Sequence, residues 1–243
     1  MSISEQLETI ASNSTKTAAE VTKILEQVSS RYDALSTKID NYNVTSSRLY
    51  RKKFGMLGDS YVAYNNGETA YKYVAAKYSM TYYNYGINGN TVGYPTYNSA
   101  LPMSERYVDM VDDLDYIGFV GGHNDASKGT PIGTPEDSTN TTFMGALNLL
   151  ASGLIEKYLG KKIFAVTPWN IDDTRDLYNE AILKIFGEKW GIPVLDADKY
   201  SGMHMKSSAW RTMYSSSSGD TAHLNANGSR LYMDVVESFM LQL

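Results

Sequence analysis

Cysteine is absent from this 243-residue chain, which excludes disulfide bonds, thiolate nucleophiles and cysteine-ligated metals and leaves the redox compartment open. Histidine is scarce: three residues, at 123, 204 and 223, scattered without metal-ligand spacing, so neither a metal nor a cofactor is expected. No apolar run approaches the roughly 18 residues of a membrane span. The opening Met1-Ser-Ile-Ser-Glu-Gln lacks the basic and apolar regions of a signal peptide. No membrane partner is therefore expected. An excess of positive charge is also missing. The formal net charge is −5, with eight Lys/Arg against six Asp/Glu in residues 1–53 and fourteen against twenty-one in the remainder. An acidic main body argues against a nucleic-acid partner.

Glycine and proline are missing from residues 1–54, whereas all nineteen glycines and all six prolines lie from Gly55 onward. The chain thus divides near residue 50, into a helical segment (1–50) and a domain (51–243). Without either helix breaker the first segment reads as one long helix. Its seven-residue seam is Leu7, Ser14, Val21, Val28, Leu35 and Tyr42; the companion seam runs Ile10, Thr17, Ile24 and then shifts to Tyr32 and Ile39. A heptad with one drifting seam suits a modest coiled coil, and a homo-oligomer, dimer or trimer, is expected through this helix. Packing of the same apolar stripe on the chain's own domain is the alternative.

From Lys53 onward, apolar strands alternate with helical patterns. Strands are expected at 54–58, 81–85, 115–121, 162–167 and 192–196, and helices at about 67–79, 101–112, 140–159, 173–190 and 225–241. This rhythm implies a parallel sheet covered on both faces, in which ligands bind beyond the carboxyl ends of the strands. Polar clusters fall at such ends: Gly58-Asp59-Ser60 after the first strand, Gly86-Ile-Asn-Gly89-Asn90-Thr91 after the second, and Gly122-His123-Asn124-Asp125 after the third.

Ser60 and the segment Asp220-Thr-Ala-His223, 163 positions later, together offer a nucleophile, a base and a carboxylate to orient the base. A serine hydroxyl attacks only when an imidazole takes its proton, and the imidazole works best when a carboxylate fixes its tautomer. An acyl-transfer intermediate also needs donors at its oxyanion. Gly89, with no side chain in the way, Asn124 through its amide, and the Ser60 N–H at a helix start are the candidates. Asp59 is expected to cap a turn or helix, Asp125 to hold the loop that presents Asn124, and His204 to be a loop residue.

These four blocks, in this order, resemble those of the SGNH (GDSL-type) hydrolases, over about residues 54–243. The resemblance implies a three-layer α/β/α, flavodoxin-like fold with a five-stranded parallel sheet, here preceded by a long N-terminal helix. It also implies a metal-free serine esterase with Ser60 as nucleophile, His223 as base, Asp220 as its support, and Ser60, Gly89 and Asn124 as the oxyanion hole. His123 stands where small residues are common in the family, and is expected either to shape its loop through a hydrogen bond or to contribute to the acyl pocket.

Twenty tyrosines are present, and Tyr61, Tyr64, Tyr82, Tyr83, Tyr85, Tyr94 and Tyr97 cluster near the expected active face. Rings with polar tips suit sugars, although strand and helix packing also consumes tyrosines. The loop 126–139 is polar, and no long apolar segment suggests a fatty-acyl tunnel. An acylated carbohydrate, chiefly acetylated, is the expected substrate, with another small ester as the broader class. The alternatives are a glycan-binding or structural module with a vestigial hydrolase fold, or a lipase or thioesterase of the same family. A weak coiled coil ahead of a carbohydrate-active domain is architecturally analogous to phage virion proteins, so a virion-associated or a cytoplasmic location is expected.

Overall fold

The computed structural model describes residues 2–97, 99–169 and 173–243. The chain separates into two compact units, with the boundary between Ser47 and Arg48.

The first unit is a single helix, α1 (Ile3–Thr45). Ser2 caps its start: the Ser2 hydroxyl accepts from the Glu5 N–H and the Glu5 carboxylate accepts from the Ser2 N–H, a reciprocal pairing that satisfies two otherwise orphan donors. None of its described residues is buried, and the seam residues Leu7, Ile10, Val21, Ile24, Val28, Leu35 and Ile39 are all exposed.

The second unit alternates strands and helices in the order β1 (Lys53–Gly58), α2 (Ser60–Ala63), α3 (Ala70–Lys77), β2 (Thr81–Gly86), α4 (Met103–Arg106), β3 (Tyr116–Val120), α5 (His123–Lys128), α6 (Phe143–Lys157), β4 (Lys162–Val166), α7 (Asp173–Ile182), β5 (Val194–Leu195), α8 (Ala197–Tyr200), α9 (Ser208–Tyr214) and α10 (Ala226–Met240). All strand pairs are parallel and the sheet order is β2-β1-β3-β4-β5. The strand period of two sorts the core into halves. Leu57, Ile117, Phe119 and Ala165 face a cluster built from α6, α7 and the π-helical continuation of α7, Leu183–Lys189. Phe54, Met56 and Phe164 face the other way, where Phe164 meets Phe239 of α10, and α10 packs against α3. A sheet between two helical layers, in this order, is the flavodoxin-like doubly wound arrangement.

Four of the five expected strands agree with those observed to within one residue at either end. The fifth shrinks to two residues, beside Pro193, which has no N–H to donate. The expected helix over 101–112 is only one turn, α4, followed by a 3-10 turn at Tyr107–Asp109.

The order reverses between β1 and β3, and the carboxyl ends of these two strands deliver Asp59-Ser60 and Gly121–Asn124 to one edge of the sheet. Gly86, ending β2, meets the first turn of α2: a Cβ there would lie 2.5 Å from the Ala63 backbone nitrogen. Only glycine allows the turn carrying Ser60 to seat against the sheet at that point.

Candidate active site

Ser60 opens α2, and the preceding Asp59 is its cap, accepting from the Tyr61 N–H at 2.9 Å. Asp59 is fully buried, and burial pushes its carboxyl up to about 7 against these stabilising hydrogen bonds. The capping role expected for Asp59 is thus observed.

His223 comes from the other end of the domain. The strand-like bridge Ser215–Leu224 and a bond from the Ser216 N–H to the His223 carbonyl close a short loop. Asn225 locks the loop to α10: its side chain accepts from the Asn227 and Gly228 N–H groups and donates to the Met213 and Ser215 carbonyls. Inside the loop, Asp220 Oδ1 accepts from the Ala222 and His223 N–H groups, each at 2.9 Å, and Oδ2 lies 2.9 Å from His223 Nδ1. The Ser216 hydroxyl donates to the same Oδ2. Burial works to raise the Asp220 carboxyl, but the bonds from Ser216, the two backbone N–H groups and the His223 ring outweigh it and hold the carboxyl below its ordinary value. His223 Nε2 is 2.9 Å from Ser60 Oγ. A carboxylate, an imidazole and a hydroxyl therefore form one continuous hydrogen-bonded chain that reaches the half-buried Ser60.

Tyr64 stacks on the His223 ring, with centroids 4.3 Å apart and planes 17° from parallel. Sequence reasoning placed Tyr64 near the site and missed this contact, because the stacking depends on a residue 159 positions away.

The donor side is built at the ends of β2 and β3. Gly89 adopts φ +72°, a left-handed conformation that explains the glycine. Neither its N–H nor that of Ser60 is used in a hydrogen bond among the described residues. Asn124 Nδ2 donates to Asp59 Oδ2 at 2.9 Å and to the Asn90 carbonyl at 3.0 Å. Both hydrogens of that amide are therefore engaged by the protein. Asp125, buried, accepts from the Val92 and Gly93 N–H groups at 3.0–3.1 Å, so it holds the loop after β2 and not the one that presents Asn124; burial pushes this carboxyl too up to about 7.

Arg106 binds the site together from behind. Its guanidinium donates to the Asn90 side chain at 2.7 Å and to the carbonyls of Tyr85 and Gly58, both at 2.6 Å. One side chain thus joins the strand end before Ser60 to the loop that follows β2. Nothing in the local sequence marked it, because its partners lie on two segments distant in sequence.

His123 Nδ1 accepts from Arg175 Nε at 3.2 Å, and its ring stands edge-on to Tyr61. The loop-shaping alternative for His123 is therefore the observed one. His204 is exposed. Of the tyrosines expected near the site, Tyr61 and Tyr64 adjoin Ser60, while Tyr94 and Tyr97 project, partly exposed, from the loop after Gly89. Tyr82, Tyr83 and Tyr85 instead serve packing: Tyr82 meets Phe54, Tyr83 stacks on Tyr85, and the Tyr85 hydroxyl accepts from the Val111 N–H. Among the described residues no group of three or more His, Asp or Glu is placed to hold a metal ion, and no helix is long and apolar enough to cross a membrane.

Residues 56–231 match the model of the GDSL-like lipase/acylhydrolase family. Among solved structures, a protein from Lactobacillus plantarum is 27% identical, with a TM-score of 0.71 over 79% of this chain and 97% of that one. A Bacteroides ovatus protein titled as a GDSL-like lipase is 18% identical, with a TM-score of 0.59 over 79% and 99% of the two chains. A carbohydrate acetylesterase family member from Sinorhizobium meliloti is 16% identical, with a TM-score of 0.54 over 79% and 100%. The latter two are similar in fold. A comparison with curated proteins finds no match.

Proposed function

Because the chain belongs to the GDSL-like lipase/acylhydrolase family, we propose that it is a serine esterase removing short acyl groups, acetyl above all, from carbohydrate. The observation that carries this reading is the unbroken chain Asp220–His223–Ser60, with 2.9 Å at each link.

In this mechanism His223 Nε2 takes the proton of Ser60 as its oxygen bonds to the ester carbonyl carbon. The negative charge rests on the carbonyl oxygen among the N–H groups of Ser60 and Gly89 and the shared Asn124 amide. The carbon–oxygen bond to the sugar then breaks, and the imidazolium donates its proton to the departing alkoxide. Water repeats the sequence, deprotonated by His223, to release the carboxylate and restore Ser60. The ionised Asp220 stabilises the imidazolium that forms in each half-reaction.

Carbohydrate as the alcohol half is favoured by the partly exposed Tyr97, beside Gly89, and Tyr94 of the same loop, rings suited to sugar C–H faces. Hydrolysis of p-nitrophenyl acetate, butyrate and octanoate by the wild type and by Ser60→Ala tests the reading. Acetate preference that is lost in Ser60→Ala is expected; preference for octanoate would overturn the short-acyl assignment, and no Ser60-dependent turnover would favour a glycan-binding module.

We also propose that α1 self-associates. A lone helix carrying an exposed apolar seam gains little from propensity alone and finds its stability in partners. One seam keeps its seven-residue step from Leu7 through Val28 to Tyr42, while the companion seam shifts by one residue between Ile24 and Tyr32. Light scattering should give a dimer or trimer that becomes monomeric on Ile24→Asp; a monomeric wild type would refute it.

A further inference from the structure

A narrow cavity opens at the reacting atoms. Ser60, Tyr64 and His223 border it, and it ends against Thr69, Ala70 and Tyr71 of the α3 start and Tyr232 of α10. Burial gives it a direction: Ser60, Tyr64 and His223 are partly exposed, whereas Ala70, Tyr71 and Tyr232 are 1–2% exposed. It is therefore a blind slot running from the nucleophile into the space between α3 and α10. Its interior leaves about 20 Å³ for the centre of a water-sized body, and one water needs roughly 10–15 Å³ on that measure.

That size decides which part of a substrate enters. A pyranose ring is several times too large, so the alcohol half of a sugar ester stays outside. The oxyanion donors Gly89 and Asn124 are not on the wall, so the carbonyl oxygen points elsewhere. What remains is the substituent on the carbonyl carbon. We propose that this slot receives the acyl tail, that it is filled by the methyl of an acetyl group, and that Thr69, Ala70 and Tyr71 set the limit on chain length.

The slot's chemistry fits a body that exchanges with water. The hydroxyls of Tyr61, Thr69 and Tyr232, all on the wall, are buried without a partner in hydrogen-bonding geometry. Thr69 faces Tyr82 and Tyr232 faces Tyr71, but off-line. Unpaired buried hydroxyls around a space for one water are the ordinary setting of an internal water. Thr69 precedes α3 without a side-chain capping bond, so its hydroxyl is free of any role in holding the helix.

This inference rests on the esterase reading, and the experiment separates the two. The rates kcat/KM for p-nitrophenyl formate, acetate and butyrate are compared in the wild type, in Thr69→Ala, which lengthens the slot, and in Ala70→Val, which fills it. Thermal melts accompany each protein. Thr69→Ala should raise the butyrate-to-acetate ratio by roughly tenfold or more, the usual effect of one methylene in a fitted pocket. Ala70→Val should lower acetate relative to formate by a similar factor. A wild type without Ser60-dependent turnover would defeat the esterase reading. A wild type that prefers acetate, with both ratios unchanged in folded variants, would overturn the slot alone. Ratios are internal to each protein, so a loss of stability in one variant leaves the other decisive.

Discussion

Asp220→Asn isolates the contribution of the carboxylate to the imidazole. The replacement keeps the shape of the side chain, and the local bonding dictates how it sits. Oδ1 accepts from two backbone N–H groups at 2.9 Å, so the amide oxygen must occupy that position and the NH2 group must occupy the place of Oδ2. There it faces His223 Nδ1, 2.9 Å away in the wild type. An NH2 can only donate, so Nδ1 becomes an acceptor and the ring proton moves to Nε2, pointing at Ser60 Oγ. A base that already carries its proton on the working nitrogen cannot accept another from serine. The equivalent change in the Ser-His-Asp template lowers kcat by about 10⁴, corresponding to about 5.5 kcal/mol at 1.36 kcal/mol per tenfold. The assay is kcat on saturating acetate ester, paired with a thermal melt and with ¹⁵N chemical shifts of the His223 ring. The melt should move little, since both backbone bonds persist, and the ring should switch from the Nδ1–H to the Nε2–H form. Turnover within tenfold of wild type would show that Asp220 does not set the tautomer. The Asp220 carboxyl lies below its ordinary value, so it is ionised at neutral pH and available to hold the ring N–H.

Two further outcomes are expected. Arg106→Lys replaces a planar fork with a point charge that cannot reach the Asn90, Tyr85 and Gly58 acceptors together. It should lower kcat tenfold or more with KM within about threefold, and cost about 2–3 kcal/mol of stability in urea; an unchanged kcat would remove Arg106 from the positioning of the site. Burial pushes the Asp59 and Asp125 carboxyls up to about 7 from an ordinary 3.8, so the native state binds more protons than the unfolded chain between those values. Their contribution to stability is then greatest below pH 4 and falls as pH rises toward 7. The urea midpoint should be higher at pH 5 than at pH 7.5, and a midpoint rising over that interval would contradict the assignment.

What was legible in the sequence was whatever depends on local pattern or on residues that chemistry cannot replace. The missing glycine and proline gave α1, apolar runs gave β1 to β4, and the fold matches the expected flavodoxin-like sheet. Ser60, His223 and Asp220 are brought together as expected, because a strand end and a short loop fix each one locally. A helix start at Ser60 was expected without an end, and the short helices α8 and α9 were not anticipated, since four to seven residues hold too little of a 3.6 period to detect. Tyr82, Tyr83 and Tyr85 were placed at the site by proximity in sequence, but they stand on an edge strand and are spent on packing. Arg106 and the Tyr64–His223 stack escaped notice because tertiary contact alone creates them.

The loop that carries Asp220 and His223 also bears on how the molecule comes together. His223 and Asp220 sit three residues apart on one stapled turn, while Ser60 lies 163 positions from His223. The imidazole–carboxylate pair can form as soon as that turn does, at low entropic cost, whereas its alignment with Ser60 waits for one of the longest loop closures in the domain. Turnover is therefore a clock for this closure. During refolding, the return of helical signal reports elements that form locally, and the return of esterase activity dates the moment when the two ends of the domain first meet in register.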